Sequence, residues 1–500
     1  MIARTPFAIL LSCTALMPPL LLGAAPALAQ EEAPEDVIIV SIKAPDRSPQ
    51  AHAGSVTVLN AADLEGRQVQ TLASLSHATP NVSLDDIGTF RGVANFAIRG
   101  LGINSSIPSI DPAVGLFVDG VYIGVNAGTL FDAPDLARVY VLKGPQGVGF
   151  GRNTTGGAVM VKTADPDFDR WEGAIRLAGE GPVDGGRGAM LGTGRLVFGG
   201  PLSDRVAVRF VAQHTSDGGY FVNQVTGNHI GGFENTVLRG GIAWKATPAL
   251  TITAKGEWNG SDGDGAPTQN HGQQSRRGFG IAINQEGFHH SRAKFGVLRG
   301  ELDVGRGEVV STLGWRKYGL KTRNDIDSSP ASIFESDTRT AQEQVSNETY
   351  YTGRHGRIDL TLGTYLFHQS VGYDELRRLA ALQYGGGRQK HDVLGLYGNA
   401  EYPLTDALRL SAGLRWTREE KAARITYVRP RPACSAVERT CLITGTNPSN
   451  PSENNGFADK RHWNSLSPRV ALNWQVAPGA NAYAGWTRGQ RSGGYNLRIT

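Results

Sequence analysis

The 500-residue sequence has few cysteines, little net charge and almost no long apolar runs. Its formal net charge of +4 gives no argument for a nucleic-acid partner. Beyond residue 29, no stretch approaches the ~20 uninterrupted apolar residues of a membrane-spanning helix, so a membrane location would require strands. A phosphate-binding loop, a Gly-x-Ser-x-Gly elbow and a His-Glu-x-x-His motif are also missing. We therefore do not expect an enzyme.

The one long apolar run lies at the N-terminus and has the form of a secretory signal peptide. It extends from Phe7 to Leu28, is interrupted by Pro18, and ends in a small-residue cleavage site at Ala29. The proline disfavours a spanning helix. A lipoprotein anchored at Cys13 is the alternative. We predict that residues 1–29 are removed during export.

Two of the 3 cysteines remain after cleavage, and both lie in a stretch rich in Pro, Ser and Asn. Cys434 and Cys441 are seven residues apart, and in an oxidising compartment this predicts a loop disulfide. A metal site is the alternative. No His or second Cys pair stands beside them at ligand spacing, so no metal site is predicted.

Composition divides the mature chain into three parts. Residues 30–50 are acidic and flexible in character, with one apolar island at Asp36–Ser41. Such an island can add as a strand to a partner's sheet, although the local pattern alone favours an ordinary first strand. Residues 51–165 mix short strand-like runs with helix signals, such as Asn60 as an N-cap, and can bury one modest core. Residues 166–500 consist of long alternating segments.

The segments after Trp171 place apolar residues on one face and polar residues on the other. Leu408–Trp416 and Leu250–Trp258 are examples, each about nine residues long and ending in Trp, as expected of a tilted strand that crosses a bilayer. Short turns alternate with long polar connections predicted at 262–290, 323–342, 377–390 and 431–461. This pattern predicts a transmembrane antiparallel β-barrel; a soluble β-sandwich is the alternative.

About 13 such segments can be recognised, whereas plugged transporter barrels have 22 strands. At roughly 25 residues per strand, the remainder would need on the order of 230 residues beyond Thr500. We expect the sequence to be the N-terminal part of a longer chain.

The stretch Leu136–Lys162 joins two β-branched runs through a turn rich in glycine and proline. It resembles the plug of a TonB-dependent outer-membrane receptor of the ferric-siderophore type. Late in the chain, Tyr483–Gly489 and Ser492–Gly494 resemble a recurrent segment of that family's barrel. The residues that match its plug motifs are Arg99, Gly100, Asp119, Gly120, Lys143, Gly144, Pro145, Gln146, Gly147, Gly151, Arg152, Asn153, Gly156 and Gly157.

The apolar island resembles the family's TonB box, formed here by Asp36, Val37, Ile38, Ile39, Val40 and Ser41. The resemblance implies a barrel closed by an α/β plug inside its lumen. It also implies an ion-pair lock between plug and barrel at the positions of Tyr140 and Lys143. The basic plug residues Arg99, Arg138, Lys143 and Arg152 would face acids of the barrel wall, and a solvated plug surface is the alternative for each of them. Two positions depart from the family's lock: Tyr140 stands where Glu is common, and Lys143, where Arg is common, lacks the bidentate fork of Arg.

The resemblance implies import across the outer membrane of a Gram-negative bacterium, driven through the periplasmic domain of the TonB complex. The expected cargo is a ferric siderophore, with iron present only as part of the ligand and no resident cofactor. Candidate ligand-binding residues are Arg276, Arg277, Arg377, Arg378 and Tyr384. We expect a monomer surrounded by outer-membrane lipid, with no nucleic-acid partner.

Other cargoes stay open. Histidines at 271, 289 and 290 make haem an alternative cargo. Asp262 and Asp264 suggest a calcium-assisted cobalamin site, although two carboxylates fall short of the 6–8 oxygen ligands that calcium takes. Oligosaccharides and aromatic compounds are further alternatives. A passive porin-like channel is the alternative to energised import, but it would need neither a plug nor a TonB box.

Overall fold

The computed structural model describes residues 53–69, 71–87, 90–103, 105–128, 132, 134–181, 189–275, 278–379, 381–428, 446–447, 450–454 and 456–498. The predicted TonB box, Arg276, Arg277, Cys434 and Cys441 lie outside these residues.

The first part of the described chain is a small α/β unit, which we call the plug. Its elements are β1 (Ser55–Asn60), α1 (Ala61–Gly66), α2 (Leu75–Ala78), β2 (Val82–Ile87), β3 (Phe90–Ile98), β4 (Leu101–Gly102), β5 (Val114–Val118), β6 (Val121–Tyr122), β7 (Leu136–Lys143), α3 (Gly147–Phe150) and β8 (Gly157–Thr163). Five strands form one sheet in the order β1-β7-β8-β5-β6, and β2-β3-β4 form a second. The apolar core lies between them and includes Phe96, Leu116 and Val141.

The helix signal at Asn60 is confirmed. The Asn60 side chain accepts a hydrogen bond from the backbone N–H of Asp63 at 2.8 Å, and the Asp63 carboxylate accepts one from the N–H of Asn60 at 3.1 Å. This reciprocal capping box satisfies backbone donors that the first turn of α1 leaves free.

The second part of the chain consists of strands, most of them long. They are β9 (Glu172–Glu180), β10 (Leu191–Ser203), β11 (Val206–Asp217), β12 (Phe221–Asn223), β13 (His229–Ile230), β14 (Phe233–Thr247), β15 (Leu250–Gly263), β16 (Gly280–Ile281), β17 (Phe288–Asp303), β18 (Gly307–Asp325), β19 (Phe334–His355), β20 (Ile358–Leu379), β21 (Ala381–Pro403), β22 (Leu408–Val428), β23 (Thr446–Asn447), β24 (Asn450–Asn454), β25 (Gly456–Ala477) and β26 (Ala480–Thr487). Thirteen of them form one antiparallel sheet that runs from β9 to β26 in chain order. The predicted fold class, a plug with a large antiparallel barrel sheet, is confirmed.

The sheet curves around the plug, and we call it the wall. Its two faces differ as the alternation predicts. Leu362, Leu366 and Leu414 point outward and are 50%, 51% and 51% exposed. Gln344 and Gln369 point inward and are buried. A polar lumen face and an apolar outer band are what a lipid-embedded barrel requires. Among the described residues, no helix is long and apolar enough to cross a membrane.

Eleven of the thirteen strands in the wall are longer than the nine residues expected from the sequence, and β21 has 23. One consequence corrects a predicted loop: Arg377–Lys390 is not a long polar loop, because β20 continues to Leu379 and β21 begins at Ala381. The strands continue through these polar residues because each cross-strand hydrogen bond satisfies a backbone group, whether or not lipid surrounds the strand. The predicted loop at 323–342 likewise shrinks, since β19 begins at Phe334.

The wall has a short-turn end and a long-loop end. Tight turns join β17 to β18 at Val304–Arg306 and β19 to β20 at Gly356–Arg357. At the opposite end, the connections from β11 to β14 and from β15 to β17 meet in a small sheet in which β12 pairs with β13 and β16. Short turns on the periplasmic side and long loops outside are the usual asymmetry of such barrels.

Candidate functional site

The contact between plug and wall, which we call the seam, is built largely from acids on the plug and bases on the wall. Asp135 accepts two hydrogen bonds from the Arg209 guanidinium, at 2.7 and 2.6 Å, in a bidentate pair. Asp111 pairs with Lys421, which is fully buried. This distribution of charge is the reverse of the one expected from the sequence, in which basic plug residues face acids of the wall.

Lys255 of β15 holds two plug carboxylates. Its Nζ lies 2.6 Å from Asp165 and 3.4 Å from Asp119. Burial alone would raise the pKa of Asp165, but the charges of Lys255 and Lys162 outweigh it and lower that pKa. Asp119 also accepts hydrogen bonds from the backbone N–H and the hydroxyl of Thr163, at 2.9 and 2.8 Å. The carboxylate therefore ties β5, β8 and the wall together.

Two of the recognised plug motifs are tight hairpin turns. Arg99 and Gly100 connect β3 to β4, and Asp119 and Gly120 connect β5 to β6. All four have positive φ angles, of 53°, 78°, 46° and 84°. This is the type I′ geometry that two-residue hairpins favour.

The loop between β7 and β8 carries the remaining plug motif and contacts the wall closely. A Cβ on Gly147 would come within 2.3 Å of the Arg488 carbonyl oxygen, and one on Gly151, whose φ is +75°, within 2.9 Å of the Arg415 guanidinium. Glycine is therefore required at position 147 by the close approach of the Arg488 backbone, which follows β26, and at Gly151 by its positive φ angle.

Arg152 is a basic plug residue that meets an acid of the wall. Its Nε lies 3.8 Å from Glu419, and its guanidinium stacks 4.7 Å from the Tyr122 ring and 4.3 Å from the Phe367 ring. Next to it, the Asn153 amide donates to Asp111 at 2.8 Å and to the Tyr122 hydroxyl at 3.0 Å.

Lys143 has a different partner from the one expected. Its ammonium donates to the carbonyl oxygen of Pro80 at 2.8 Å, within the plug. Burial and the neighbouring charge of Arg99 lower the pKa of Lys143. Tyr140, at the position where Glu is common, is 2% exposed and belongs to an apolar cluster with Leu142 and Met160. The plug interior at this position is apolar rather than ionic.

A segment that sequence reasoning treated as part of the barrel, Arg488–Arg498, lies inside the lumen. We call it the inner segment. The N–H of Asn153 donates to the Gln490 carbonyl at 2.8 Å, and the N–H of Ser492 donates back to the Asn153 side chain at 3.0 Å. The Lys421 ammonium donates to the Gly493 carbonyl at 2.7 Å. Plug, inner segment and wall are thus joined by one buried polar network.

The end of the inner segment reaches the apex of the plug. Arg498 donates to the Tyr373 hydroxyl at 2.7 Å, to Glu375 at 3.1 Å and to the Ser106 hydroxyl at 3.3 Å. Beside it lies a crevice between plug and wall, the apical crevice. Its walls combine apolar side chains with hydroxyl groups and are formed by Val93, Ile103, Ser105, Ser106, Ile107, Pro108, Ile110, Pro112, Val125, Asn126, Ala127, Leu320, Thr338, Thr340 and Tyr373.

The candidate ligand residues that the structure describes fall in two places. Arg377 lies 3.5 Å from Glu375, the carboxylate that also binds Arg498. Arg378 pairs with Glu335 at 3.2 Å instead. The Tyr384 hydroxyl donates to Asp374 at 3.0 Å.

The residues behind the haem and calcium alternatives have other partners. Asp262 binds Arg292 at 2.6 Å and His290 at 2.8 Å, and Asp264 accepts from the N–H of Gly232 at 2.9 Å. His289 bonds to the Ser261 hydroxyl at 3.1 Å. Within the described part of the chain, no group of three or more His, Cys, Asp or Glu side chains is placed to hold a metal ion.

Several residues of the seam were not predicted from the sequence, among them Asp111, Asp135, Glu419 and Lys421. For the two residues of β22, a signal exists, because Glu419 and Lys421 share the inward face with Arg415 in the alternating pattern. For the plug acids there is none, since their partners lie on wall strands up to 310 residues away.

The fold and the seam define a plugged outer-membrane β-barrel. A family model described as the TonB-dependent receptor plug domain matches residues 48–158, and one described as TonB dependent receptor-like, beta-barrel matches residues 215–500. The chain belongs to the TonB-dependent receptor family. Members of this family are outer-membrane receptors and transporters of Gram-negative bacteria, not enzymes; they bind ligands such as siderophores and interact with TonB.

Individual relatives are more distant. The chain is 29% identical over 155 residues to the pesticin receptor of Yersinia pestis, a match that covers 30% of this chain and 22% of that protein. The crystal structure of the ferric yersiniabactin uptake receptor FyuA from Yersinia pestis superposes with a TM-score of 0.77 at 17% identity, over 91% of this chain and 67% of that one. The open form of the ferric-catecholate import receptor Fiu from E. coli K12 gives a TM-score of 0.69 at 13% identity, over 92% and 73%. These structures share the fold.

Proposed function

We propose that the protein imports a scarce solute across the outer membrane, powered by the inner-membrane proton gradient through TonB, and that its cargo is a ferric siderophore. The observation that carries the proposal is the seam. The plug sits inside the wall on several buried or half-buried ion pairs, including Asp135–Arg209 and Asp111–Lys421. A lumen closed in this way passes a large solute only if the plug is moved, and moving it requires work.

The chemistry of the apical crevice supports a chelate as cargo. Isoleucine and valine side chains offer apolar contact, while Ser106, Thr338 and Tyr373 offer hydroxyl groups. Arg498 contacts Ser106 and Tyr373 of the crevice lining, and it shares one carboxylate, Glu375, with Arg377. A ferric siderophore presents both apolar carbon and anionic oxygen to its receptor, so this lining suits it. FyuA is a ferric yersiniabactin uptake receptor, and Fiu is a ferric-catecholate import receptor.

In the proposed cycle, the ligand closes the outer side while Asp36–Ser41 becomes available on the periplasmic side. The apolar run Val37–Val40 then pairs with the periplasmic domain of TonB by strand addition. Iron travels inside its chelate, so the cycle needs no resident cofactor. The protein acts as a monomer surrounded by outer-membrane lipid.

The test is uptake of radiolabelled iron from a panel of ferric siderophores into cells that carry the complete gene. One variant lacks Asp36–Ser41, and a matched control lacks Lys43–Ser48, an equal length of the same segment. We expect uptake of at least one chelate to fall to background in the first variant and to persist in the control.

Uptake that survives deletion of Asp36–Ser41 would contradict energised import and support a passive channel. If no chelate is taken up while labelled cobalamin, an oligosaccharide or an aromatic compound is, and that uptake depends on Asp36–Ser41, then the siderophore assignment is wrong and the transporter class is right.

A further inference from the structure

A cleft separates the plug from the first three strands of the wall, and we call it the α1 cleft. It lies between α1 and the start of β7 on the plug side and β9, β10 and β11 on the wall side, with a volume of about 920 Å³. Small-molecule sites occupy roughly 300–1,000 Å³. The α1 cleft is therefore large enough for a solute of several hundred daltons, and no step of the proposed cycle uses it.

Two arginines on neighbouring strands of the wall line this cleft. Arg176 of β9 and Arg195 of β10 lie directly opposite each other in the strand register. Their inward orientation follows from alternation, because the adjacent residues Ile175 and Leu196 are 76% and 41% exposed on the outer face. Like charges in directly opposed positions destabilise a sheet, and a bound anion would remove the repulsion.

Two of the carboxylates beside the cleft are already neutralised. Asp135 and Glu172 lie 2.6 and 3.1 Å from the Arg209 guanidinium. Glu172 also pairs with Arg170 at 2.8 Å. These acids therefore leave little negative charge for the opposed arginines.

The opposed arginines have little compensation of their own. Glu65 of α1 lies 3.7 Å from Arg176, but its side chain is 78% exposed, and exposed ion pairs contribute little. The Arg195 Nε donates to the Gln213 side chain at 2.6 Å, and among the described residues no carboxylate lies within ion-pair distance of Arg195. Two guanidinium groups side by side present the forked donors that bind carboxylates and similar oxyanions.

The α1 cleft lies near the opposite end of the lumen from the apical crevice. A strand tilted by ~40° rises roughly 2.5 Å per residue along the membrane normal. Arg176 is four residues from the start of β9 at the short-turn end, which places it roughly 10 Å above that end. Tyr373 of the apical crevice is fifteen residues from the start of β20, which places it roughly 40 Å above the same end.

We propose that the α1 cleft is a second binding site, in which Arg176 and Arg195 bind an oxygen-rich anionic solute. The identity of the solute rests on the proposed function: it is the imported chelate, which occupies the cleft after leaving the apical crevice and before entering the periplasm. Leu136 and Val197 supply apolar contact beside the two charges. Binding there lowers the free energy of the chelate part-way along its path.

The first test resolves individual residues and needs no transport. The complete protein in detergent is treated with phenylglyoxal, which modifies arginine, and the modified residues are identified by mass spectrometry. The probe is citrate, an iron-free tricarboxylate. At a citrate concentration about tenfold above its Kd, we expect modification of Arg176 and Arg195 to slow about tenfold. Arg306, an exposed residue of the β17–β18 turn, should react at an unchanged rate.

Unchanged modification of Arg195 in citrate would overturn the proposal. Equal protection by sodium chloride at the same ionic strength would also overturn it, because the arginines would then respond to salt rather than to a bound oxyanion.

Arg195→Gln separates binding from folding. It removes one of two opposed charges, so without citrate the variant should be at least as stable to thermal unfolding as the parent protein. Citrate should then protect Arg176 less than half as well. The control Arg306→Gln should keep the full protection of Arg176. Undiminished protection in Arg195→Gln would contradict the proposal.

Uptake into cells tests whether the solute is the cargo. Arg195→Gln should lower the maximal rate of chelate uptake and leave the half-saturating concentration unchanged, because cargo meets the α1 cleft only after it has bound at the apex. A maximal rate equal to that of the parent would remove the cleft from the import path. If no chelate is imported while citrate still protects Arg195, the proposed function fails and the anion site stands.

Discussion

Lys255 of the wall lies 2.6 Å from Asp165 and 3.4 Å from Asp119, so one cation holds two carboxylates of the plug. The side chains of Lys255 and Asp119 are 8% and 9% exposed. At this depth, loss of the cation leaves a buried acid without compensation. The contact therefore stabilises the seam where β5 and β8 meet the wall.

Replacing Lys255 by Ala should loosen the plug. We expect a loss of about 3–5 kcal/mol in the free energy that holds the plug in place, the range for breaking one partner of a buried pair. The measurement is thermal unfolding in detergent, combined with the ion conductance of single barrels in a planar bilayer. Arg170→Ala is the control, since Arg170 is 71% exposed and its ion pairs are on the surface. Equal stability of the Lys255 and Arg170 variants would show that the seam does not depend on this contact.

Local features of the plug can be predicted from the sequence. Which side of the seam carries the acids and which the bases cannot. Asp119 and Gly120 form the Asp-Gly pair that most strongly signals a two-residue hairpin, and Asn60 with Asp63 predicts a capped helix. Alternation in β20 and β22 predicts which side chains face the lumen. The pairing of Asp135 with Arg209 depends instead on two segments 74 residues apart meeting in space.

The expected ionic lock at Tyr140 and Lys143 illustrates the same limit. A family pattern indicates which positions matter, but the partner of each side chain is set by packing. Here apolar side chains surround Tyr140, and Lys143 donates to the carbonyl of Pro80 rather than to an acid of the wall. The hairpin of β20 and β21 was missed for a related reason, because polar composition resembles a loop even where strands continue to pair.

Gly147→Ala should disturb the fit between the plug and the inner segment. The new Cβ would lie 2.3 Å from the Arg488 carbonyl oxygen, which belongs to backbone and cannot rotate away. We expect a loss of about 1–3 kcal/mol from the forced shift. A lower unfolding midpoint of the complete barrel in detergent would report it. Gly66→Ala is the matched control, because a Cβ there meets no atom within 4 Å and should leave stability unchanged or slightly higher.

Substitutions at Tyr140 test whether the plug interior is apolar at the position where the family has Glu. Its hydroxyl is buried without a hydrogen-bond partner in the described structure. Tyr140→Phe should therefore raise stability, by about 1 kcal/mol, because it removes an unsatisfied polar group. Tyr140→Glu, which restores the residue common in the family, should lower stability by several kcal/mol by burying a charge. A Glu variant as stable as the parent would mean that a cation such as Lys162 moves to meet it.

Arg498→Ala should weaken uptake of an anionic chelate without unfolding the barrel. The guanidinium bridges Tyr373, Glu375 and Ser106 at the border of the apical crevice. We expect the half-saturating cargo concentration to rise about tenfold, the effect of losing one charge-assisted hydrogen bond. Arg498→Lys should restore part of the affinity. Transport that is unchanged in both variants would place the cargo elsewhere.

Asp325 should make the outer loops sensitive to pH. Its carboxylate is 1% exposed and accepts hydrogen bonds from the N–H groups of Ser328 at 2.8 Å and Asn284 at 3.2 Å, so it joins the β15–β17 and β18–β19 connections. Burial, helped by the nearby charge of Asp327 and opposed by these N–H groups, raises the pKa of Asp325 to about 6.

A carboxyl pKa that is higher in the closed loops than in the open ones favours the protonated form when the loops are closed. The closed arrangement is therefore most stable below pH ~4 and loses stability as the pH rises through about 6. We expect proteolytic cleavage within residues 326–333 to be about tenfold faster at pH ~8 than at pH ~5, after correction for the activity of the protease on a free peptide. In Asp325→Asn, which cannot ionise, the corrected rate should be flat across this range. A flat profile in the parent protein would contradict the assignment, because the loops would then hold together independently of this proton.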